Sequence, residues 1–205
     1  MKSDPNLYVL HGKRPLYLLS YVDDFIVIGD EILSGRTKDK NIGWLAEQLG
    51  AQGIQLGEAR VIADKKQPII DTVQTLSKTY DLVFTSGGIG PTHDDITTDA
   101  VAAAFNVPVI RHPEAERRLI AHYANTDLEF NAARQKMANI PDTAALIDNP
   151  LSAAPGYIIG NVHVLPGVPT ILQAMFEGLK IKFQKYNLVS PPPLRRLSHC
   201  SYACN

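Results

Sequence analysis

The body of the chain contains no cysteine, no long apolar run and no surplus of charge of either sign. Cys200 and Cys204 both lie near the end of the sequence, so we expect no disulfide framework and predict a reducing, cytoplasmic location. No run of about 18 apolar residues occurs, which argues against a transmembrane helix and a membrane partner. The formal net charge of -1 supplies no positive field, which argues against nucleic acid as a partner.

Length and pattern together predict one folded domain with two less regular ends. The 205 residues are enough for a good-sized domain with extensions. We expect an N-terminal extension over residues 1–22, the domain over 23–182, and a flexible tail over 183–205. The tail carries a proline run and shows no hydrophobic periodicity.

Short apolar runs alternate with segments of helical periodicity. We predict strands over 25–28, 54–61 and 82–85, and a hairpin of 156–159 and 162–165 around the pair Gly160-Asn161. We predict helices from Asp39 to about Gln52, from Asp64 to about Ser77, from Thr97 or Thr98 onwards, and from Thr170 to Lys180. Segment 107–140 is typical of a short strand followed by two helical pieces. The alternation predicts an α/β fold with a parallel sheet covered on both faces.

Three loops follow predicted strands and should meet at one edge of this sheet. They are 29–39 after the first strand, Asp64 after the second, and 86–95 after the third. In open parallel sheets the ligand lies beyond the carboxyl ends of the strands. The sequence therefore predicts a binding cleft at that edge.

The loop SGGIGPTHDD, residues 86–95, combines glycines with acids. Gly87, Gly88 and Gly90 permit a sharp turn and let a ligand approach main-chain N–H groups, which makes an anion site. The spacing is neither GxGxxG nor a P-loop, so an ordinary turn is an alternative. Because carboxylates repel phosphate, Asp94 and Asp95 favour a phosphorylated ligand held together with a divalent metal. Solvated loop acids, one of them capping a helix, are the other interpretation.

The loop GDEILSGRT and the segment LPGVP add further candidates. Arg36 offers a cation to a phosphate, or is a solvated side chain. Asp64 is either a helix cap or an acid of the site. Gly167 permits a turn or a close ligand approach. The candidate residues for binding phosphate or substrate are Gly29, Ser34, Gly35, Arg36, Ser86, Gly87, Gly88, Gly90, Pro166 and Gly167.

Four segments together resemble a known family: VIGDEILSGRTKDKN, VIADK, TSGGIGPTHDDITTDA and LPGVP. They are similar to the molybdopterin-binding domains of molybdenum-cofactor biosynthesis, and especially to the N-terminal domains of CinA proteins and of eukaryotic FAD synthases. The resemblance covers roughly Asp24 to Lys180. It implies a three-layer α/β/α fold with a mostly parallel sheet, and a homo-oligomer, either trimer or dimer.

The resemblance also implies a phosphorylated pterin or nucleotide as the ligand. CinA-type domains are associated with metal-dependent cleavage of dinucleotide pyrophosphates such as ADP-ribose or FAD. On that basis Asp64 and Asp95 are the candidate catalytic residues, and Asp64, Asp94 and Asp95 the candidate ligands of Mg²⁺, Mn²⁺ or Co²⁺. The loops GGIGPTHDD and GDEILSG depart from the adenylyltransferase pattern of the family toward the CinA pattern. A molybdopterin adenylyltransferase, or a non-catalytic module with molybdopterin as its ligand, stays an alternative.

Overall fold

The computed structural model describes Leu7–Val9, Tyr17–Leu19 and residues 22–184. Most of the predicted N-terminal extension, nearly all of the predicted tail and both cysteines lie outside the described residues. Within the described part of the chain, no helix is long and apolar enough to cross a lipid bilayer.

Strands and helices alternate between residues 22 and 141, as the sequence predicts. The strands are β1 (Leu7–Val9), β2 (Tyr17–Leu19), β3 (Val22–Ile28), β4 (Gln55–Ile62), β5 (Leu82–Ser86), β6 (Val109–Arg111), β7 (Asn139–Pro141), β8 (Ala145–Ile147), β9 (Gly156–Ile159) and β10 (Val162–Leu165). The helices are α1 (Asp30–Leu33), α2 (Asn41–Ala51), α3 (Lys66–Thr79), α4 (Thr97–Ala104), α5 (Pro113–Tyr123), α6 (Ala132–Gln135) and α7 (Pro169–Gln184), with a 3-10 turn at Lys136–Ala138.

The central sheet has six strands in the order β4-β3-β5-β10-β9-β8. The first four pair in parallel, and β9 and β8 extend the sheet in antiparallel pairs. The predicted hairpin of β9 and β10 is confirmed, with Gly160 in its turn at a φ of 57°. The predicted α/β fold with a mostly parallel sheet is therefore confirmed.

Alternating side chains of the strands face two different helical layers. Ile26 and Ile28 pack in a cluster with buried apolar residues of α3, α4 and α5. Phe25 and Val27 pack in a second cluster with the buried residues of α2 and α7. Each such fully buried side chain contributes about 1.5–3 kcal/mol. The strands are thus apolar on both faces, which explains why they appear in the sequence as continuous apolar runs.

The elements that the sequence does not reveal are short. Strands β7 and β8 and helix α1 each span three or four residues, too few to show a hydrophobic period. Helix α7 begins at Pro169 and continues beyond the predicted end at Lys180. Proline fits this first position because the N–H of the first helical residue has no partner within the helix, so proline loses no hydrogen bond there.

Candidate functional site

A cleft of about 410 Å³ lies at the carboxyl edge of the parallel strands. The loops after β3, β4 and β5 contribute to it, which confirms that these three loops meet at one edge of the sheet, and the loop after β10 adds a fourth wall. The lining residues are Ile28, Glu31, Thr37, Asp64, Gly87, Gly88, Ile89, Gly90, Thr92, Asp94, Asp95, Pro166, Gly167 and Val168.

Two glycines at the floor of the cleft have a backbone conformation that other residues rarely adopt. Gly87 has a φ of 104° and Gly88 a φ of 67°. A Cβ on Gly87 would overlap the carbonyl oxygen of Ile28, and a Cβ on Gly88 would overlap the hydroxyl of Thr97. The chain therefore turns from β5 toward α4 in a space that only glycine fits.

Part of the main chain of this turn is already hydrogen-bonded within the protein. The Gly87 N–H donates to the carbonyl oxygen of Leu165 at 3.1 Å, and the Gly88 carbonyl accepts from the Thr97 N–H at 3.0 Å. The Gly87 amide is thus already hydrogen-bonded, although the sequence made it a candidate for binding phosphate. Its role in the structure is to fasten the turn to the end of β10.

Asp64 links the loop after β3 to the loop after β4. Its Oδ2 accepts the Asp30 N–H at 2.9 Å, and its own N–H donates to Asp30 Oδ1 at 3.3 Å. Helix α3 begins at Lys66 and has no side-chain cap, so the alternative that Asp64 caps this helix is wrong. Burial raises the pKa of the Asp64 carboxyl, and the neighbouring carboxylates of Glu31, Asp30 and Asp94 raise it further. Asp64 therefore lies among several like charges.

Asp95 forms hydrogen bonds within its own loop, residues 86–95, which we call the glycine–aspartate loop. Its Oδ2 accepts from the Thr92 N–H at 2.8 Å and from the Thr92 hydroxyl at 2.5 Å. The Lys136 ammonium donates to the carbonyl oxygens of Thr92 and Asp95 at 2.8 and 2.7 Å. The sequence does not indicate Lys136, because this residue lies far along the chain from residues 86–95 and belongs to no local motif.

Asp94 and His93 lie at the exposed side of the loop. Interaction with the nearby Thr92 side chain lowers the pKa of Asp94, and the nearby His93 and Lys136 also favour its charged form. The His93 side chain is 99% exposed, and its Nδ1 lies 4.0 Å from Asp94 Oδ1. Asp94 lines the cleft, whereas His93 is not among the lining residues.

The turn of the first loop lies outside the cleft lining. Ser34, Gly35 and Arg36 are exposed, and the Arg36 Nε donates to the Ser34 hydroxyl at 3.1 Å. These three candidates therefore do not line the cleft that contains the acids. Asp39 caps α2, since its Oδ1 accepts the N–H groups of Asn41 and Ile42 at 3.1 and 2.8 Å.

The remaining candidates for binding phosphate or substrate line the cleft or lie beside it. Pro166 and Gly167 line the cleft, and Ser86 lines an adjoining chamber of about 190 Å³. Gly29 is buried at the end of β3, and its N–H donates to the Ile62 carbonyl oxygen at 3.1 Å.

The charge of the cleft is entirely negative. Among the described residues that line it, four are acidic and none is lysine or arginine. No group of three or more histidine, cysteine, aspartate or glutamate side chains within the described chain is close enough to hold a metal ion by itself. The carboxylates thus surround the glycine turn without forming a complete metal cage.

Comparison with known proteins shows the family of this chain. Residues 24–185 match the family model described as "Probable molybdopterin binding domain". The chain belongs to this family. It is 33% identical over 171 residues to a CinA-like protein of Prochlorococcus marinus (strain MIT 9215), an alignment that covers 78% of this chain. The chain spans about 40% of the length of the curated CinA-like relatives that it matches.

Two solved structures are similar to this chain. The CinA protein of Thermoplasma acidophilum, whose function is unknown, superposes with a TM-score of 0.73 at 31% identity. That likeness covers 80% of this chain and 98% of the other. The tungsten cofactor synthesizing protein MoaB of Pyrococcus furiosus gives a TM-score of 0.52 at 18% identity, covering 82% of this chain and 94% of the other. The second likeness shows the shared fold alone.

Proposed function

We propose that the cleft binds a phosphorylated dinucleotide together with a divalent metal ion and hydrolyses its pyrophosphate bond, as in ADP-ribose or FAD. The observation that carries this proposal is the charge of the lining, with four carboxylates and no lysine or arginine among the described residues. A phosphate group beside these acids would be repelled unless a cation neutralised the charge. The resemblance to CinA-type domains supplies the class of substrate.

The donor atoms around the cleft fit a hard divalent ion. Carboxylate oxygens are the ligands that Mg²⁺ and Mn²⁺ prefer. Mg²⁺ commonly uses one or two carboxylates together with substrate phosphates, rather than a cage built by the protein alone. Asp64 and Asp94 would hold the ion, since both line the cleft and their charges interact. When bound, the ion would neutralise phosphate charge and make a water molecule more acidic.

The remaining residues position the substrate. Gly88 and Gly90 line the cleft where we place the phosphate, and the space that a Cβ would take there is filled by the Thr97 hydroxyl and the Asp95 carboxylate. Lys136 and the carboxylate of Asp95 fix the loop that carries Asp94. We therefore propose that the main role of Asp95 is to hold the loop in shape. Its candidate roles as catalytic acid and metal ligand stay a prediction.

The test is release of AMP from ADP-ribose and from FAD by the purified protein. We expect release with Mg²⁺, Mn²⁺ or Co²⁺ and none in excess EDTA. Asp64→Asn keeps a hydrogen-bond acceptor for the Asp30 N–H but removes the charge, so the rate should fall more than about tenfold. Asp127→Asn removes an exposed acid that does not line the cleft and should leave the rate unchanged.

Absence of AMP release from both dinucleotides with all three metals would overturn the hydrolytic proposal. Adenylylation of molybdopterin by ATP in the same preparation would then assign the transferase reaction instead. Binding of molybdopterin without any turnover would assign a binding module.

A further inference from the structure

The main-chain ladder between β3 and β4 stops just before the acidic cleft. The two strands pair in parallel as far as Ile28 and Ile62, and the Gly29 N–H then donates to the Ile62 carbonyl oxygen at 3.1 Å. Beyond this bond one chain segment continues into α1 and the other into the loop before α3. Strand pairing therefore does not fix how these two segments lie relative to each other.

Two aspartates link the segments where the ladder ends. The Asp30 N–H donates to Asp64 Oδ2 at 2.9 Å, and the Asp64 N–H donates to Asp30 Oδ1 at 3.3 Å. Asp30 is the first residue of α1, so its N–H has no acceptor within that helix. Each carboxylate thus holds the main chain of the other residue, across 34 positions of the sequence.

This exchange orients the Asp64 carboxylate. Oδ2 accepts the Asp30 N–H, whereas a Cβ placed on Gly88 would lie 3.5 Å from Oδ1. Gly88 lines the cleft, so the second oxygen of Asp64 faces the glycine turn where we place the metal and the phosphates. Asp30 is itself exposed and is not among the lining residues. Its effect on the cleft is therefore exerted through Asp64.

The same pair of hydrogen bonds fixes a second acid of the cleft. Glu31 follows Asp30 directly and lines the cleft. Its carboxylate lies over the main chain of Gly29, since a Cβ there would come within 2.8 Å of Glu31 Oε1. The link between Asp30 and Asp64 thus sets the relative position of two cleft acids that come from different strands.

We propose that Asp30 is a positioning residue of the metal site, which holds Asp64 so that Oδ1 faces the cleft. Removing the acceptor on Asp30 should release the loop after β4, whereas an uncharged acceptor should preserve the site. Loss of a hydrogen bond that orients a metal ligand commonly lowers metal affinity about 10- to 100-fold. The inference rests on the proposed function for the presence of the metal, and it does not depend on the reaction.

The experiment measures the affinity for Mn²⁺ alone by electron paramagnetic resonance, in which the signal of free Mn²⁺ falls as the ion binds. Asp30→Ala should weaken Mn²⁺ binding at least about tenfold relative to wild type. Asp30→Asn keeps an oxygen that accepts the Asp64 N–H, and its affinity should stay within about threefold of wild type. Asp71→Ala on α3 is the control, because it removes an exposed acid that does not line the cleft, and it should leave the affinity unchanged.

Hydrogen exchange of the Asp64 amide tests the hydrogen bond itself. This amide should exchange at least about tenfold faster in Asp30→Ala than in wild type, because its acceptor is gone, and at nearly the wild-type rate in Asp30→Asn. An exchange rate that is the same in all three proteins would overturn the inference.

The melting temperature separates positioning of the metal ligand from stability of the fold. A lower melting temperature of Asp30→Ala with unchanged Mn²⁺ affinity would mean that Asp30 only stabilises the fold, and would overturn the inference. Equal losses of affinity in Asp30→Ala and Asp30→Asn would assign the effect to charge and also overturn it. So would wild-type protein that binds no Mn²⁺ at millimolar concentration.

The outcomes also separate this inference from the proposed function. Weaker Mn²⁺ binding by Asp30→Ala alone, without cleavage of any dinucleotide by wild type, would support the inference while the hydrolytic function fails. Cleavage of ADP-ribose by wild type, with the same Mn²⁺ affinity in Asp30→Ala, would overturn the inference while the hydrolytic function stands.

Discussion

Replacing the buried acid Asp23 with asparagine should stabilise the protein at neutral pH and leave its stability in acid nearly unchanged. Asp23 is fully buried in β3, and its Oδ1 accepts the Leu82 N–H at 3.2 Å. Its Oδ2 has no hydrogen-bond partner among the described residues. Burial, together with the nearby Asp81 carboxylate, raises the pKa of this carboxyl to about 7. An asparagine keeps the acceptor for Leu82 and never carries a charge.

The sign of the effect follows from where the proton is bound. In the unfolded chain the carboxyl of Asp23 loses its proton near pH 3.8, whereas in the folded protein it keeps the proton to about pH 7. Between these values the folded state binds more protons, so the free energy of unfolding falls as the pH rises and is constant above. The pKa difference corresponds to at most about 4 kcal/mol. Because asparagine does not titrate, Asp23→Asn removes this loss of stability at higher pH.

The assay is urea unfolding of both proteins at several values between pH 4 and pH 8. The variant and wild type should agree within about 1 kcal/mol at pH 4, and the variant should be more stable by about 2–4 kcal/mol at pH 8. Asp81→Asn changes an exposed acid and should shift stability by less than about 0.5 kcal/mol. A difference between wild type and the Asp23 variant that does not change with pH would refute the reasoning.

Three further predictions concern the site and the assembly. Gly88→Ala should lose about 1–3 kcal/mol of stability and all turnover, because its φ of 67° and the nearby Thr97 hydroxyl exclude a Cβ. Urea unfolding measures this loss of stability. Gly43→Ala in α2 is the control and should be neutral or stabilising, because a Cβ there meets nothing within 4 Å. Lys136→Met should weaken ADP-ribose binding in calorimetry, because two carbonyl oxygens of the glycine–aspartate loop lose their donor, whereas Lys78→Met on α3 should not. The resemblance predicts a dimer or trimer, and sedimentation equilibrium that shows only monomer would contradict it.

The sequence predicts the fold well because each main element shows its own local pattern. The strands that contain Phe25 and Phe84 are buried on both faces and appear as apolar runs. The pair Gly160-Asn161 marks the hairpin, and Asp39 marks the start of α2. These signals depend only on neighbours in the chain, so the amino-acid sequence alone reveals them.

The candidate site is only partly predictable, because its decisive contacts join distant segments. Asp64 is hydrogen-bonded to Asp30, and Lys136 reaches the carbonyl oxygen of Asp95 across 41 positions of the chain. No local pattern shows such pairs.

The central claim is that phosphate and metal bind the acidic cleft together. Its most direct test is the affinity for the α,β-methylene analogue of ADP-ribose, measured with and without Mn²⁺. This analogue cannot be hydrolysed. We predict at least about tenfold tighter binding with Mn²⁺ than in EDTA, with the same factor by which the analogue tightens Mn²⁺ binding. Asp64→Asn should remove most of this coupling. Equal affinity for the analogue in Mn²⁺ and in EDTA would contradict the account.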